Sequence, residues 1–283
     1  MLTRKIVAAL FLISTLFFSV SAQVASPAPK RATGFLKRAV TIGTNTHNYR
    51  VYVPMDYNPN KKYPVVLYLH GGGEWGGDNE KQIGHGLGSV IQLFMWKHPE
   101  RFGSFIAVFP QTRGYWVGDE AETAIKELDQ TIAEFNGDSQ RLYLTGFSLG
   151  GYGTWYLAAK YPKKFAAIAP AGGGILPPGV ASPDKIPPMF RLLVPPEMFA
   201  LYTAQDPYAA FAKAIGKTPT WIFHGGEDEE VSVIEARKMA SALKAANGNA
   251  KYTEYAGEKH FVTDKVYTDA EFWKWLFAQQ LTQ

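Results

Sequence analysis

The stretch RLYLTGFSLGGYGTWYLAAKY, residues 141–161, decides the fold. It begins as an apolar run of strand character, passes through Gly146-Phe147-Ser148-Leu149-Gly150, and continues as a helical pattern. A G-x-S-x-G is a modest signal by itself, but between a strand and a helix it is the sequence of a nucleophile elbow. Such a turn is so tight that side chains flanking the serine would collide, hence the glycines. It lifts the Ser148 hydroxyl clear of the backbone and sets it at the N-terminus of the next helix. There the helix dipole favours developing negative charge. The competing reading is a serine in an ordinary Gly-rich turn. Partners elsewhere in the chain decide between the two.

Outward from this stretch, apolar runs recur at 36–42, 48–53, 64–69, 104–109, 141–145, 165–169, 219–223 and 251–255. The middle runs are continuously apolar rather than alternating, as parallel strands buried on both faces are. Helical patterns lie between them. In 119–135, Ala121, Ile125, Leu128, Ile132 and Phe135 stripe one face. Capping pairs are expected at Asp119 with Glu122, Ser232 with Glu235, and Thr268 with Glu271, opening helices over 119–135, 232–246 and 268–280. Asn136-Gly137 and Asn247-Gly248 read as stops. The pattern predicts an α/β chain: a mostly parallel, doubly wound sheet of about eight strands with an antiparallel N-terminal start. In such sheets ligands bind at the carboxyl ends of the strands. Residues 172–213 hold no clear strand and are rich in Gly and Pro, which reads equally as a lid insertion or as surface packing.

The first 22 residues have the form of a signal peptide: Arg4 and Lys5, an apolar Ile6–Phe18, then small residues ending at Ala22. The expectation is a secreted or periplasmic protein with no stable membrane anchor after cleavage, a linker over 23–34 and a single domain over 35–283. The formal charge of +4 misleads, because residues 1–38 carry six of the 29 Lys and Arg and no acid. The rest of the chain is slightly acidic, which argues against nucleic acid as a partner. Cysteine is absent, so there is no thiol nucleophile and no cysteine metal site. The 7 Trp and 15 Tyr suit a large core or an aromatic cleft.

A serine hydroxyl needs a base near neutral pH. In a strand–elbow–helix fold the chain order is serine, acid, histidine. Two histidines follow Ser148. His224 ends the run WIFH and precedes the acids, out of order for the base. His260 lies after the last strand pattern, where the base is expected. The acid is sought in HGGEDEEV, 224–231, which holds four carboxylates. Zinc bound by His224 and Glu227 is a weak alternative, lacking a second nearby His or any Cys.

The segments HGGGEWGGDN, GFSLGGYGTWYLAAKYP, WIFHGGEDEEV and YTEYAGEKH together resemble the α/β-hydrolases of the esterase group that includes phospholipase/carboxylesterases, dienelactone-hydrolase-like enzymes and secreted predicted peptidases. That resemblance implies that Asp228, fifth in an H-G-x-x-D-x-x-V pattern, orients His260, with Glu227, Glu229 and Glu230 solvated. It implies an oxyanion hole from the N–H groups of Gly72 and Leu149. Relatives carry Arg where Trp75 stands, so an aromatic wall is expected in place of an ionic contact. Glu74, Asp78 and Asn79 are expected to brace this loop. Trp75, His85, Gln111 and Trp116 are candidate substrate contacts, as is Tyr115, and packing is an equal reading for each.

The implied activity is hydrolysis of carboxylic esters, short acyl esters or acetyl and feruloyl esters on polysaccharide, with no metal and no organic cofactor. The triad type alone does not separate ester from amide cleavage, so a serine peptidase of the prolyl-oligopeptidase type is a second reading. A non-catalytic binding protein on a hydrolase scaffold is a third; such proteins commonly lose a member of the triad.

Overall fold

The computed structural model describes residues 32–95 and 97–281. The signal-peptide reading and most of the 23–34 linker lie outside them. Eight strands form one sheet: β1 (Gly34–Ile42), β2 (Asn45–Val53), β3 (Tyr63–Leu69), β4 (Ile106–Phe109), β5 (Gly137–Phe147), β6 (Ala167–Ala171), β7 (Thr220–Gly225) and β8 (Ala250–Tyr255). Their spatial order is β1-β2-β4-β3-β5-β6-β7-β8. β1 and β2 pair antiparallel, as do β2 and β4; every pairing from β4 across to β8 is parallel. This is the doubly wound sheet with an antiparallel start that the sequence predicts.

The continuous apolar runs divide by alternation between two buried faces. Val65, Leu67 and Leu69 of β3 pack on one side, Val66 and Tyr68 on the other. Ten α-helices are described: α1 (Gly86–Val90), α2 (Pro99–Phe102), α3 (Gly118–Glu134), α4 (Leu149–Lys160), α5 (Pro188–Leu193), α6 (Pro196–Tyr202), α7 (Pro207–Ile215), α8 (Ile234–Ala245), α9 (Thr263–Thr268) and α10 (Ala270–Phe277). The face of Val65 is covered by α3 through Ala124 and Leu128, α4 through Trp155 and Leu157, and α8 through Met239 and Leu243. The face of Val66 is covered by α9 and α10 through Val266, Tyr267, Phe272 and Trp273. The Phe105 and Trp273 rings stack at 4.8 Å, so the aromatic C-terminal helix is a core element.

Three helix starts differ from expectation. α3 is preceded by Val117 with no side-chain cap, because its first residue is Gly118, at φ +52° and pressed against the Leu193 carbonyl. α8 starts after Val233; Glu235 is drawn away by tertiary partners described below. The 268–280 pattern splits, Thr268 closing α9 while the Asp269 carboxylate caps α10 through Glu271 N–H. The two stops hold. Asn136 and Asn247 sit at φ +51° and +53°, and Gly248 N–H reaches back to Leu243 O at 2.7 Å.

Candidate active site

Ser148 occupies the single residue between β5 and α4, at φ +54° and ψ −116°. A non-glycine residue with positive φ is strained and persists only where its surroundings impose it. Here the constraint is close packing of the elbow on β3: a Cβ at Gly150 would run into the Leu69 carbonyl oxygen. Ser148 N–H is tied to Ala171 O at 2.9 Å, across to the end of β6. The elbow therefore stands at the carboxyl end of the sheet, flanked by the loops that follow β3 and β7.

His260 and Asp228 meet it there. His260 Nε2 lies 2.8 Å from Ser148 Oγ, and its Nδ1 lies 2.7 Å from Asp228 Oδ2. His260 is 3% exposed and the Asp228 side chain is fully buried. Phe147 packs at 4.8 Å from the His260 ring. The Asp228 carboxylate is used at both oxygens. Oδ1 accepts N–H bonds from Glu230 at 2.9 Å and Val231 at 2.8 Å. Oδ2 receives His260 and stands 3.2 Å from His224 Nε2. Burial works to raise the Asp228 pKa. The bonds from His224, His260 and Val231 N–H outweigh it and hold the group well below the ordinary carboxylate range. An ionised carboxylate on Nδ1 leaves Nε2 free to take the serine proton.

The His224 ring is fully buried, and Nε2 bonds Val231 O at 2.8 Å. A carbonyl only accepts, so the proton sits on Nε2, shared with Asp228. His224 thus faces Asp228 and not Glu227, a contact not expected from the sequence. Of the other acids in HGGEDEEV, Glu229 reaches Lys259 at 3.4 Å. Glu230 departs from the expectation of a purely solvated group: although 61% exposed, its Oε2 lies 3.8 Å from His260 Nε2.

Across the elbow, β3 is followed by His70-Gly71 and a short turn, Gly72–Glu74. Burial pushes the His70 pKa down to about 4 against the raising bond to Gly71 O. The neutral ring donates from Nδ1 to Gly71 O at 2.7 Å and accepts Thr112 N–H on Nε2 at 3.1 Å. Gly72 and Leu149 border one cavity of about 230 Å³ with Ser148. Leu149 N–H is the first of α4, so it has no carbonyl partner within the helix.

Trp75 is a cavity wall, 42% exposed, its indole N–H held by Gly114 O and its ring edge-on to Tyr115. Tyr115 lines the same cavity. The remaining three candidate contacts do not. Gln111 braces the loop, taking Asn79 N–H on Oε1 and donating to Glu74 O and Asp78. The N–H groups of Lys81 and Glu80, and after them the Gln111 amide, hold the Asp78 pKa down to about 2. His85 points out from the loop, its side chain 80% exposed and bonded to Glu74. Trp116 is buried, bonded to His70 O, and borders a narrower adjoining pocket. Four cavity residues escape sequence reasoning: Tyr152, Pro178, Glu230 and Val231. Tyr152 had a readable signal, standing one helical turn beyond Ser148. Segment 172–213 supplies Pro178 here, and Ile175, Phe190 and Tyr202 to the adjoining pocket. Glu235 anchors that segment, accepting Ile175 N–H and the Tyr208 hydroxyl.

The strand order, the elbow and the loops gathered at the carboxyl ends define an α/β-hydrolase. A model of the prolyl oligopeptidase family matches residues 107–282, and the chain belongs to that family. It is 26% identical over 225 residues to an uncharacterized secreted protein of Arthroderma benhamiae, covering 74% of this chain and 22% of that protein. It is 27% identical over 172 residues to a probable acetylxylan esterase A of Aspergillus niger, covering 56% of this chain and 53% of that one. Among solved structures, a thermostable esterase superposes with a TM-score of 0.66 at 26% identity, covering 87% of this chain and 63% of that one. The chain thus spans less than two thirds of each of these relatives. No helix among the described residues is long and apolar enough to cross a membrane.

Proposed function

We propose that this chain is a secreted serine hydrolase of carboxylic esters, working through Ser148, His260 and Asp228. The observation that carries the reading is the unbroken contact chain Oγ–Nε2 and Nδ1–Oδ2, at 2.8 and 2.7 Å, behind a strained elbow. Ser148 Oγ attacks the acyl carbon as its proton passes to His260 Nε2. The carbonyl oxygen, now carrying the charge, is met by Gly72 and Leu149 N–H. The tetrahedral species collapses, the C–O bond to the alcohol breaks, and His260 returns the proton to the leaving oxygen. Water, deprotonated by the same ring, then attacks the acyl-enzyme; the acid leaves and Ser148 regains its proton. Asp228 stays ionised throughout and stabilises the imidazolium.

The names of relatives support esters as substrates, acetyl groups on polysaccharide among them. The signal-like N-terminus and a relative named as secreted support export. The test is hydrolysis of p-nitrophenyl acetate and labelling by a fluorophosphonate. Both should vanish in Ser148→Ala; retained turnover in that variant would rule the mechanism out. The second reading, a peptidase, is favoured by the name of the matched family. It takes over if aminoacyl-nitroanilides are cleaved with higher kcat/KM than acetyl and feruloyl esters.

A further inference from the structure

We infer that Glu230 reads the alcohol portion of the ester, favouring leaving groups with a hydroxyl beside the ester oxygen: polyol esters rather than alkyl or anionic ones. The inference rests on the reading of Ser148 as nucleophile and His260 as base.

The position of Glu230 is built. Its N–H and that of Val231 are both held by Asp228 Oδ1, at 2.9 and 2.8 Å, so the turn that seats the acid also fixes the Glu230 backbone beside the site. The side chain borders the cavity containing Ser148, and it is the one charged side chain among the described residues of that cavity's walls. Its neighbour Glu229 reaches Lys259, whereas Glu230 meets no Lys or Arg among the described residues. Its Oε2 lies 3.8 Å from His260 Nε2.

That nitrogen is where the leaving oxygen must come, because it delivers the proton that releases the alcohol. A hydroxyl on the adjacent carbon lies one hydrogen bond's length from the leaving oxygen. It therefore falls within reach of a carboxylate standing beside Nε2. A carboxylate accepts such a donor strongly and repels an anion. Trp75, Tyr115 and Tyr152 border the cavity and supply apolar surface against which the C–H groups of a polyol can lie. Among the described residues lining the cavity, no cation is present to hold an anionic alcohol.

The test holds the acyl group constant. The full chain, Glu230→Gln and Glu230→Ala are compared by kcat and KM on ethyl acetate, glycerol monoacetate and O-acetyl-lactate. The wild type should prefer glycerol monoacetate to ethyl acetate in kcat/KM and disfavour O-acetyl-lactate. Glu230→Ala should cut the polyol preference by about tenfold or more, the scale of a hydrogen bond to a charged group. Glu230→Gln should keep part of that preference and raise relative turnover of the anionic ester. A fall by one common factor on all three esters would mean that Glu230 acts through His260, overturning the inference. Unchanged ratios would make Glu230 a solvated bystander. If fluorophosphonate labels Ser148 while the ratios stay fixed, only this inference fails. If Ser148-dependent turnover is absent altogether, the mechanism and the inference fall together.

Discussion

The chain contains two His-Gly-Gly runs, each at the carboxyl end of a parallel strand, and they are put to opposite uses. His70 directly follows β3 and His224 lies at the end of β7, both rings without solvent exposure. His70 satisfies both nitrogens locally, with Gly71 O and Thr112 N–H, and stands edge-on to Trp116. It shapes a loop whose product is a row of backbone groups at Gly72. His224 satisfies one nitrogen, with Val231 O and Asp228, and its Nδ1 has no hydrogen-bond partner among the described residues. It supports a loop whose product is a side chain, Asp228. A dipeptide at a strand end thus marks the carboxyl edge of the sheet without saying what that edge will present. The residues beyond the glycines decide: HGGGEW turns back on itself, and HGGEDEEV reaches its acid.

The largest expected effect breaks the second loop alone. Asp228→Asn should lower kcat on p-nitrophenyl acetate by about 10⁴-fold, the scale seen when a triad acid loses its charge. A loss under tenfold would remove Asp228 from the mechanism. Next comes pH, acting through the first loop. The His70 pKa is depressed in the folded chain to about 4 from 6.5. The unfolded ring takes up a proton below about 6.5 while the folded ring does not, so folding loses stability as pH falls from there to about 4. At roughly 1.4 kcal/mol per unit, the loss approaches 3 kcal/mol. Urea melts of wild type and His70→Gln at pH 7 and 4 should show that excess slope only in the wild type. Equal slopes would place the His70 proton elsewhere.

The glycines sharpen the contrast further. A Cβ at Gly225 would run into the Lys259 and Glu258 carbonyls, whereas one at Gly73 meets nothing. Thermal melts of Gly225→Ala should show about 3 kcal/mol or more of destabilisation, an overpacking cost. Gly73→Ala should stay within about 0.5 kcal/mol of wild type. A comparable loss from both would mean that the first loop is as tightly packed as the second. The smallest effect belongs to His224. Phe there removes a donor from Asp228 and should reduce kcat about tenfold with little change in KM, while Gln, which restores an N–H, should recover part of the loss. Failure of Gln to do better than Phe would make the ring a packing element only.

The architecture, and the strand ends where Ser148, His260 and Asp228 meet, were legible in the sequence for physical reasons. Strands buried on both faces must be continuously apolar, and the elbow needs glycine where β3 passes so close. Chain order then pointed to His260, and the resemblance to the esterase group, through its H-G-x-x-D pattern, pointed to Asp228. What stayed hidden depends on contacts made across the chain. Glu235 looks like a capping residue until Ile175 and Tyr208 claim it. Gln111 looks like a pocket residue until the Asp78 loop folds over it. Glu230 reads as one solvated acid among four, and only the turn around Asp228 brings it to His260. His85 follows a glycine in a loop that ends up facing solvent, and nothing local distinguishes it from a ligand contact.

The turn at Asp228 has a consequence for anyone redesigning this protein. The Asp228 carboxylate anchors the His260 ring with one oxygen and two nearby peptide groups, those of Glu230 and Val231, with the other. On the proposed mechanism, reactivity and recognition are therefore not separate modules here. A loop graft that lengthens 228–231 to admit a bulkier alcohol would also untether the acid, trading rate for scope. Exchange of the single side chain at 230, with loop length kept, leaves the anchor intact and is the permissible route to new selectivity.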